Sequence, residues 1–187
     1  MWLVTGLGNP GPRYAGNRHN VGFELVDRLA RSWAAPAMRD KFSGEYTKAS
    51  FAGHDVVLLK PMTYMNLSGE CLQKAMTFFK VPLARVLVVH DELDLEFEDV
   101  RVKVGGGAAG HNGLKSIIQH CGGPDFVRLR IGIGRPPRGS TESWVLGDFD
   151  SVEGARLPDV LDEAARAAEL VVREGPATAQ NRVNRRG

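Results

Sequence analysis

Val100, Val102 and Val104 alternate with Arg101 and Lys103, and Leu129, Ile131 and Ile133 alternate with Arg128 and Arg130. Period-two alternation predicts two strands, over 100–104 and 126–134, each with one apolar and one basic face. Elsewhere the period lengthens. From Val21 the apolar positions 21, 25, 26, 29, 30 and 33 keep helical spacing, and Asn20 just ahead is the expected N-cap. Ser68 is expected to cap a second helix, on which Leu72, Ala75, Met76 and Phe79 share a face and which stops before Pro82. Leu114 to Cys121 reads as a third. Pro158 is expected to open a fourth, with Val160, Leu161, Ala164, Ala168 and Val171 on one side and Gly175 as its stop. Leu3 to Leu7 reads as a short buried strand, and the β-branched run at 85–89 as a strand covered on both faces. Tyr46 to Phe51 and Asp55 to Lys60 pair as a hairpin joined at Gly53, with Pro61 closing the second strand.

Strands and helices intermix, with both hairpin-like and crossover-length connections. That predicts an α/β fold: a mixed, twisted β-sheet flanked by α-helices, with residues 1–187 as a single domain. No repeat or low-complexity linker divides the chain. Sites in such sheets lie beyond the carboxyl ends of strands. Three polar clusters occupy that position here: Asn9, then Tyr64 to Asn66, then His90 to Asp94.

Composition narrows the function classes. No apolar run approaches the roughly 20 residues needed to span a bilayer, so no membrane insertion is expected. The chain starts on MWLV with no basic leader or cleavage site, and no export is expected. Cys71 and Cys121 give neither a disulfide framework nor metal-ligand spacing, which suits a cytoplasmic protein with two buried thiols. The net charge of +2 names no polyanion partner, but its distribution is informative. Residues 91–99 hold six acids, whereas residues 100–139 hold Arg101, Lys103, Lys115, Arg128, Arg130, Arg135 and Arg138 against Asp125 alone. Arg182, Arg185 and Arg186 add a basic C-terminus.

Gly6, Gly8 and Gly11 formally satisfy the dinucleotide fingerprint, yet Pro12 to Asn20 separate them from the helical run, so no helix N-terminus is aimed at a pyrophosphate. His19 is the leading acid-base candidate, since imidazole titrates near neutrality. Asp91, at a strand end, could orient it and stabilise the imidazolium. No serine or cysteine lies in a nucleophile elbow, so water is the expected nucleophile. Asn9, Asn20, Asn66 and Asn112 suit holding a carbonyl or a water. Two rivals stand beside this hydrolytic reading. A non-catalytic RNA-binding module would use only the basic strands. A metal-dependent nuclease or phosphatase would use HDELD with His111, although neighbouring strand residues point to opposite faces.

Five ordered motifs now coincide: GLGNPGPRYAGNRHNVGF, KPMTYMNLSG, HDELDL, GGGAAGHNGLKSI and FVRLRIGIGRP. Together, from about Leu3 to Asn184, they resemble the bacterial peptidyl-tRNA hydrolase family. The resemblance implies a compact monomer without cofactor, metal or obligate protein partner, which hydrolyses the ester between a peptide and the 3′ ribose of tRNA. It implies His19 as catalytic base, Asp91 as its orienting carboxylate, and Asn9 as the residue that senses a blocked α-amine. Tyr14, Tyr64, Met65, Asn66 and Asn112 resemble contacts to the tRNA 3′ end and the peptide, with His111 assisting. Lys103 and Arg130 resemble the pair that meets the tRNA 5′ phosphate. Asn17 departs from the threonine common before RHN, which bears on local turn geometry.

Overall fold

The computed structural model describes residues 1–185; Arg186, one of the C-terminal arginines noted above, lies outside the described residues. The strands are β1 (Trp2–Gly6), β2 (Arg39–Lys41), β3 (Gly44–Phe51), β4 (His54–Pro61), β5 (Val86–Glu92), β6 (Val100–Val104) and β7 (Val127–Gly132). The α-helices are α1 (Val21–Ser32), α2 (Ser68–Phe79), α3 (Asn112–His120), α4 (Thr141–Val145), α5 (Ser151–Glu174) and α6 (Pro176–Asn184). One mixed sheet carries the strands in the order β2-β3-β4-β1-β5-β7-β6. Its centre, β4-β1-β5-β7, is parallel, and antiparallel partners extend both edges.

The sheet separates two apolar layers. Leu87 and Val89 of β5 pack with Val21, Leu25 and Leu29 of α1 and with Ala164, Ala168 and Val171 of α5. Val86 and Val88, on its other face, pack with Leu72 and Ala75 of α2 and Leu114 and Ile117 of α3. The run at 85–89 is therefore the doubly covered strand its composition predicts. Helices leave β1 and β4 toward opposite faces, so the loops at their carboxyl ends diverge and open a crevice there.

The β3-β4 hairpin turns at Ala52 and Gly53, both with positive φ (51° and 79°), the two-residue type I′ geometry that matches strand twist. A second such turn joins β2 to β3 through Phe42 and Ser43 (φ 62° and 59°). Neither residue favours that region, and Arg39, Asp40 and Lys41 are all exposed, so β2 has no apolar period or glycine to announce it.

Three helix starts differ from expectation. Asn20 does not cap α1: its backbone (φ −98°, ψ 10°) is not extended as a capping residue requires, because the chain enters through a 3-10 turn, Arg18–Asn20. Ser68 is likewise already helical, following the 3-10 turn Met65–Leu67, and its Oγ donates to the Met65 carbonyl at 2.8 Å. Pro158 lies inside α5 rather than at its start. The true start is a capping box in which Asp150 Oδ1 accepts from the Glu153 N–H at 2.8 Å and Glu153 Oε1 accepts from the Asp150 N–H at 3.1 Å. Gly175, with φ 92°, ends α5 as expected.

No helix among the described residues is long and apolar enough to cross a membrane. Gly6 and Gly8 of the first motif serve packing, since a Cβ on Gly6 would run into the Gly22 backbone and one on Gly8 would meet the Phe23 ring, whereas Gly11 turns the chain with φ 100°. This close approach of β1 to α1 holds the turn that precedes the helix. Gly6→Ala should destabilise the fold by about 1–3 kcal/mol through overpacking. Gly154→Ala, on the open face of α5 with nothing within 4 Å of a new Cβ, should stabilise it by about 0.5–1 kcal/mol. Urea unfolding of both variants checks the opposite signs.

Candidate active site

Asp91 stands at the carboxyl end of β5 and is 3% exposed. Its carboxylate accepts from both layers of the fold. From the α1 side, His19 Nδ1–H donates to Oδ2 at 2.8 Å; from the α3 side, His111 Nε2–H donates to Oδ1 at 2.8 Å. Burial alone would push the Asp91 carboxyl up, but the two imidazoles outweigh it and hold the group well below the usual carboxylate range.

The second histidine is locked by its helix. His111 is the N-cap of α3, and its Nδ1 accepts from the N–H groups of Gly113 and Leu114 at 3.1 and 3.3 Å. A nitrogen that accepts carries no proton, so His111 is the neutral Nε2–H tautomer. His19 is arranged the other way round. Its Nδ1 is committed to Asp91, and Nε2 has no hydrogen-bond partner among the described residues. His19 and His111 lie with ring centroids 5.0 Å apart.

In a 3-10 turn successive residues are about 120° apart. Arg18, His19 and Asn20 consequently leave the chain in three directions. Asn20 Oδ1 accepts from the Asn9 N–H and its Nδ2 donates to the Asn9 carbonyl, both at 2.9 Å. This clamp replaces the capping role expected of Asn20. It fixes the Asn9 side chain, whose Oδ1 accepts from the Met65 N–H at 2.7 Å. Arg18 reaches the opposite wall. Its guanidinium lies 3.5 Å from the Trp144 ring centroid, donates to the Trp144 carbonyl at 3.2 Å and pairs with Glu153 at 2.9 Å. Asn17 Nδ2 adds a bond to Asp148 Oδ1 at 2.9 Å.

These elements enclose a groove of about 500 Å³. Asn9, His19, Tyr64, Met65, Asn66, Asp91, His111 and Asn112 all line it. Asn66 and Asn112 are exposed to it. Tyr14 stands beside Tyr64 in an edge-to-face pair at 6.5 Å, and Tyr64 is 59% exposed. The far wall carries little signal in the sequence: Thr141, Glu142 and Val145 come from α4, a five-residue helix with no apolar period, and Leu146 follows its end. Its one sequence signal is Ser140, which caps it by accepting from the Ser143 N–H at 3.1 Å.

Lys103 and Arg130 are absent from this lining. They lie on one face of β6 and β7, where Lys103 pairs in register with Arg128 and Arg101 with Arg130. Arg128 is buried and donates to the carbonyls of Gly106, Gly107 and Pro124, so it ties down the glycine loop. Arg130 donates to Glu92, a groove residue, at 2.9 Å, and Arg135 to Asp94 at 2.6 Å. The reversal of charge along the sequence is thus partly folded into ion pairs, while Lys103 projects into solvent.

His19, Asp91 and His111 are also the one group among the described residues with metal-like spacing, their ligand atoms within 4.8 Å of one another. Those atoms are engaged with each other, since both Asp91 oxygens accept imidazole N–H groups. His90, which the metal reading would have added, projects to the opposite face of β5 from Asp91.

Comparison with known proteins agrees with this fold. A family model described as Peptidyl-tRNA hydrolase matches residues 3–187. A peptidyl-tRNA hydrolase of Sorangium cellulosum is 53% identical, covering 100% of this chain and 85% of that protein. One from Frankia casuarinae is 48% identical over 97% of this chain and 92% of its own. The crystal structure of peptidyl-tRNA hydrolase from Acinetobacter baumannii superposes with a TM-score of 0.92 at 41% identity, covering 98% of this chain and 94% of that one. With the motifs, the sheet order and these relatives in agreement, the chain belongs to the peptidyl-tRNA hydrolase family.

Proposed function

We propose that this chain hydrolyses the ester joining an N-blocked peptide to the 3′ ribose of tRNA, with His19 as the base that activates water. The observation that carries the reading is the buried Asp91 carboxylate on His19 Nδ1, which fixes the tautomer and leaves Nε2 free in a groove-lining ring. Nε2 takes a proton from water as its oxygen attacks the ester carbonyl. An amide N–H of Asn66 or Asn112 holds the developing oxyanion. Collapse expels the ribose 3′ oxygen, which recovers the proton from the imidazolium, so that free tRNA and the peptide leave.

Discrimination against unblocked aminoacyl-tRNA follows from the orientation of one amide. Because Asn9 Oδ1 is held by Met65, the side chain offers only Nδ2–H donors to the groove. Donors suit the acyl oxygen of a blocked amine and repel an α-ammonium, which needs acceptors. The basic face that includes exposed Lys103 and half-buried Arg130 would meet the 5′ phosphate, and Glu92 joins that face to the groove. The whole chain acts as one catalytic unit, a cytoplasmic monomer. In support, both cysteines are buried and their thiols are pushed up to about 12 by desolvation, as for inert reduced residues.

Hydrolysis of N-acetyl-aminoacyl-tRNA, measured beside the unblocked form, tests the reaction directly. His19→Ala should lower kcat by about 10² to 10⁴-fold with the fold retained by circular dichroism, and its melting temperature should fall because buried Asp91 loses a donor. Near-wild-type turnover would remove His19 from the chemistry. Asn9→Asp keeps an acceptor for Met65 but puts a negative acceptor in the groove, so blocked-substrate turnover should fall while relative use of the unblocked form rises. An unchanged ratio refutes the sensing role. Lys103→Ala or Arg130→Ala should each flatten the salt dependence of tRNA binding by a slope of about 0.7–0.9, the counterions of one phosphate. Unaltered slopes in both would place the tRNA elsewhere.

A further inference from the structure

Alternate residues of a parallel strand turn their carbonyls toward the same neighbouring strand. On the β1 side of β5, the last such bond is from the Leu7 N–H to the Val89 carbonyl, at 3.0 Å. A ladder continued by one step would have the Asn9 N–H donate to the Asp91 carbonyl. That N–H goes to Asn20 Oδ1 instead. On the β7 side the pairing runs on, with the Ile133 N–H on the Glu92 carbonyl at 3.0 Å. The Asp91 carbonyl is therefore left facing a strand that has turned away.

His90 fills the gap. Its Nδ1–H donates to the Asp91 carbonyl at 2.8 Å, and its ring, 1% exposed, lies edge-on to His111 with centroids 5.2 Å apart. Its Nε2 is buried with no partner among the described residues. Burial, with His111 beside it, pushes the ring down to about 3, so it stays neutral. A buried orphaned nitrogen is unfavourable, and an apolar side chain would fill the same space without that cost. The donor at Nδ1 is what an apolar residue could not supply.

We propose that His90 is a positioning residue: its imidazole replaces the missing strand neighbour of Asp91 and, through the Asp91 backbone and the His111 ring, fixes where the Asp91 carboxylate meets His19. This rests on the assignment of His19 and Asp91 to the chemistry. Asparagine sets an amide N–H near the position of Nδ1, whereas glutamine carries it one bond further, near Nε2. The test is steady-state hydrolysis of N-acetyl-aminoacyl-tRNA by His90→Asn, His90→Gln and His19→Ala, with NMR of the downfield proton between His19 and Asp91.

His90→Gln should lose about tenfold or more in kcat, as expected of a sub-ångström displacement at a reacting pair, with KM little changed and the downfield resonance shifted. His90→Asn should keep both kcat and the resonance near wild type. Equal kcat in the two variants, whether both retained or both lost, overturns the proposal. Should His90→Gln not fold, His90→Asn decides alone: retained kcat and resonance support the role, and a tenfold loss overturns it. If His19→Ala keeps wild-type turnover, the base assignment itself falls, whatever His90 does.

Discussion

A single buried carboxylate joins the two halves of this molecule. Asp91 accepts one imidazole from the layer of α1 and another from the layer of α3, at the edge where the sheet separating those layers ends. Removing a carboxylate from water is expensive, and it is tolerated only where donors replace the lost solvent. Here both donors come from rings that are themselves fixed, His111 by the α3 N-terminus and His19 by a short helical turn. Neither layer can shift against the other without leaving the carboxylate short of a donor. The cost of burying the charge is thereby converted into geometric precision at the point where Nε2 of His19 meets the groove.

The same logic of satisfied polar groups explains the surroundings of Asp91. Main-chain N–H and C=O groups at a strand end must find partners once the ladder stops. At the end of β1 the partners are side chains: Asn20 takes both backbone groups of Asn9, and the amide of Asn9 takes the N–H of Met65 at the end of the β4 loop. Termination of the sheet and assembly of the site are one event. The polar residues that finish the ladder are those that line or brace the groove.

How far this was legible beforehand depended on the range of the interaction. The apolar run of β5 and the stripe of α1 are imposed by burial on nearby layers, and their periods declared them. The association of His19 with Asp91 was accessible because a polar residue at the end of a central strand has few other destinations. At Asn20 the local rule, asparagine before a helix, gives way to the long-range demand of Asn9. Pro158 competed with the Asp150–Glu153 box, and the box prevailed because it satisfies otherwise unpaired N–H groups whereas a proline only pre-sets an angle. The strand β2 was silent: an exposed polar strand reached through left-handed Phe42 and Ser43 carries neither signal. The role of His111 as second donor required knowing that α3 starts beneath it.

The turn Arg18–Asn20 holds three consecutive residues with three unrelated destinations: the α4 wall, the buried carboxylate and the end of β1. At about 120° per residue, direction is encoded by position in the count, with nothing else to correct it. A substitution in this turn removes one of the three connections and spares the other two. An insertion or deletion of a single residue rotates all three at once, sending the arginine toward the carboxylate or the histidine toward the strand. Length, more than composition, is what this segment cannot vary, and its tolerance to evolutionary change should be read in insertions and deletions before it is read in side chains.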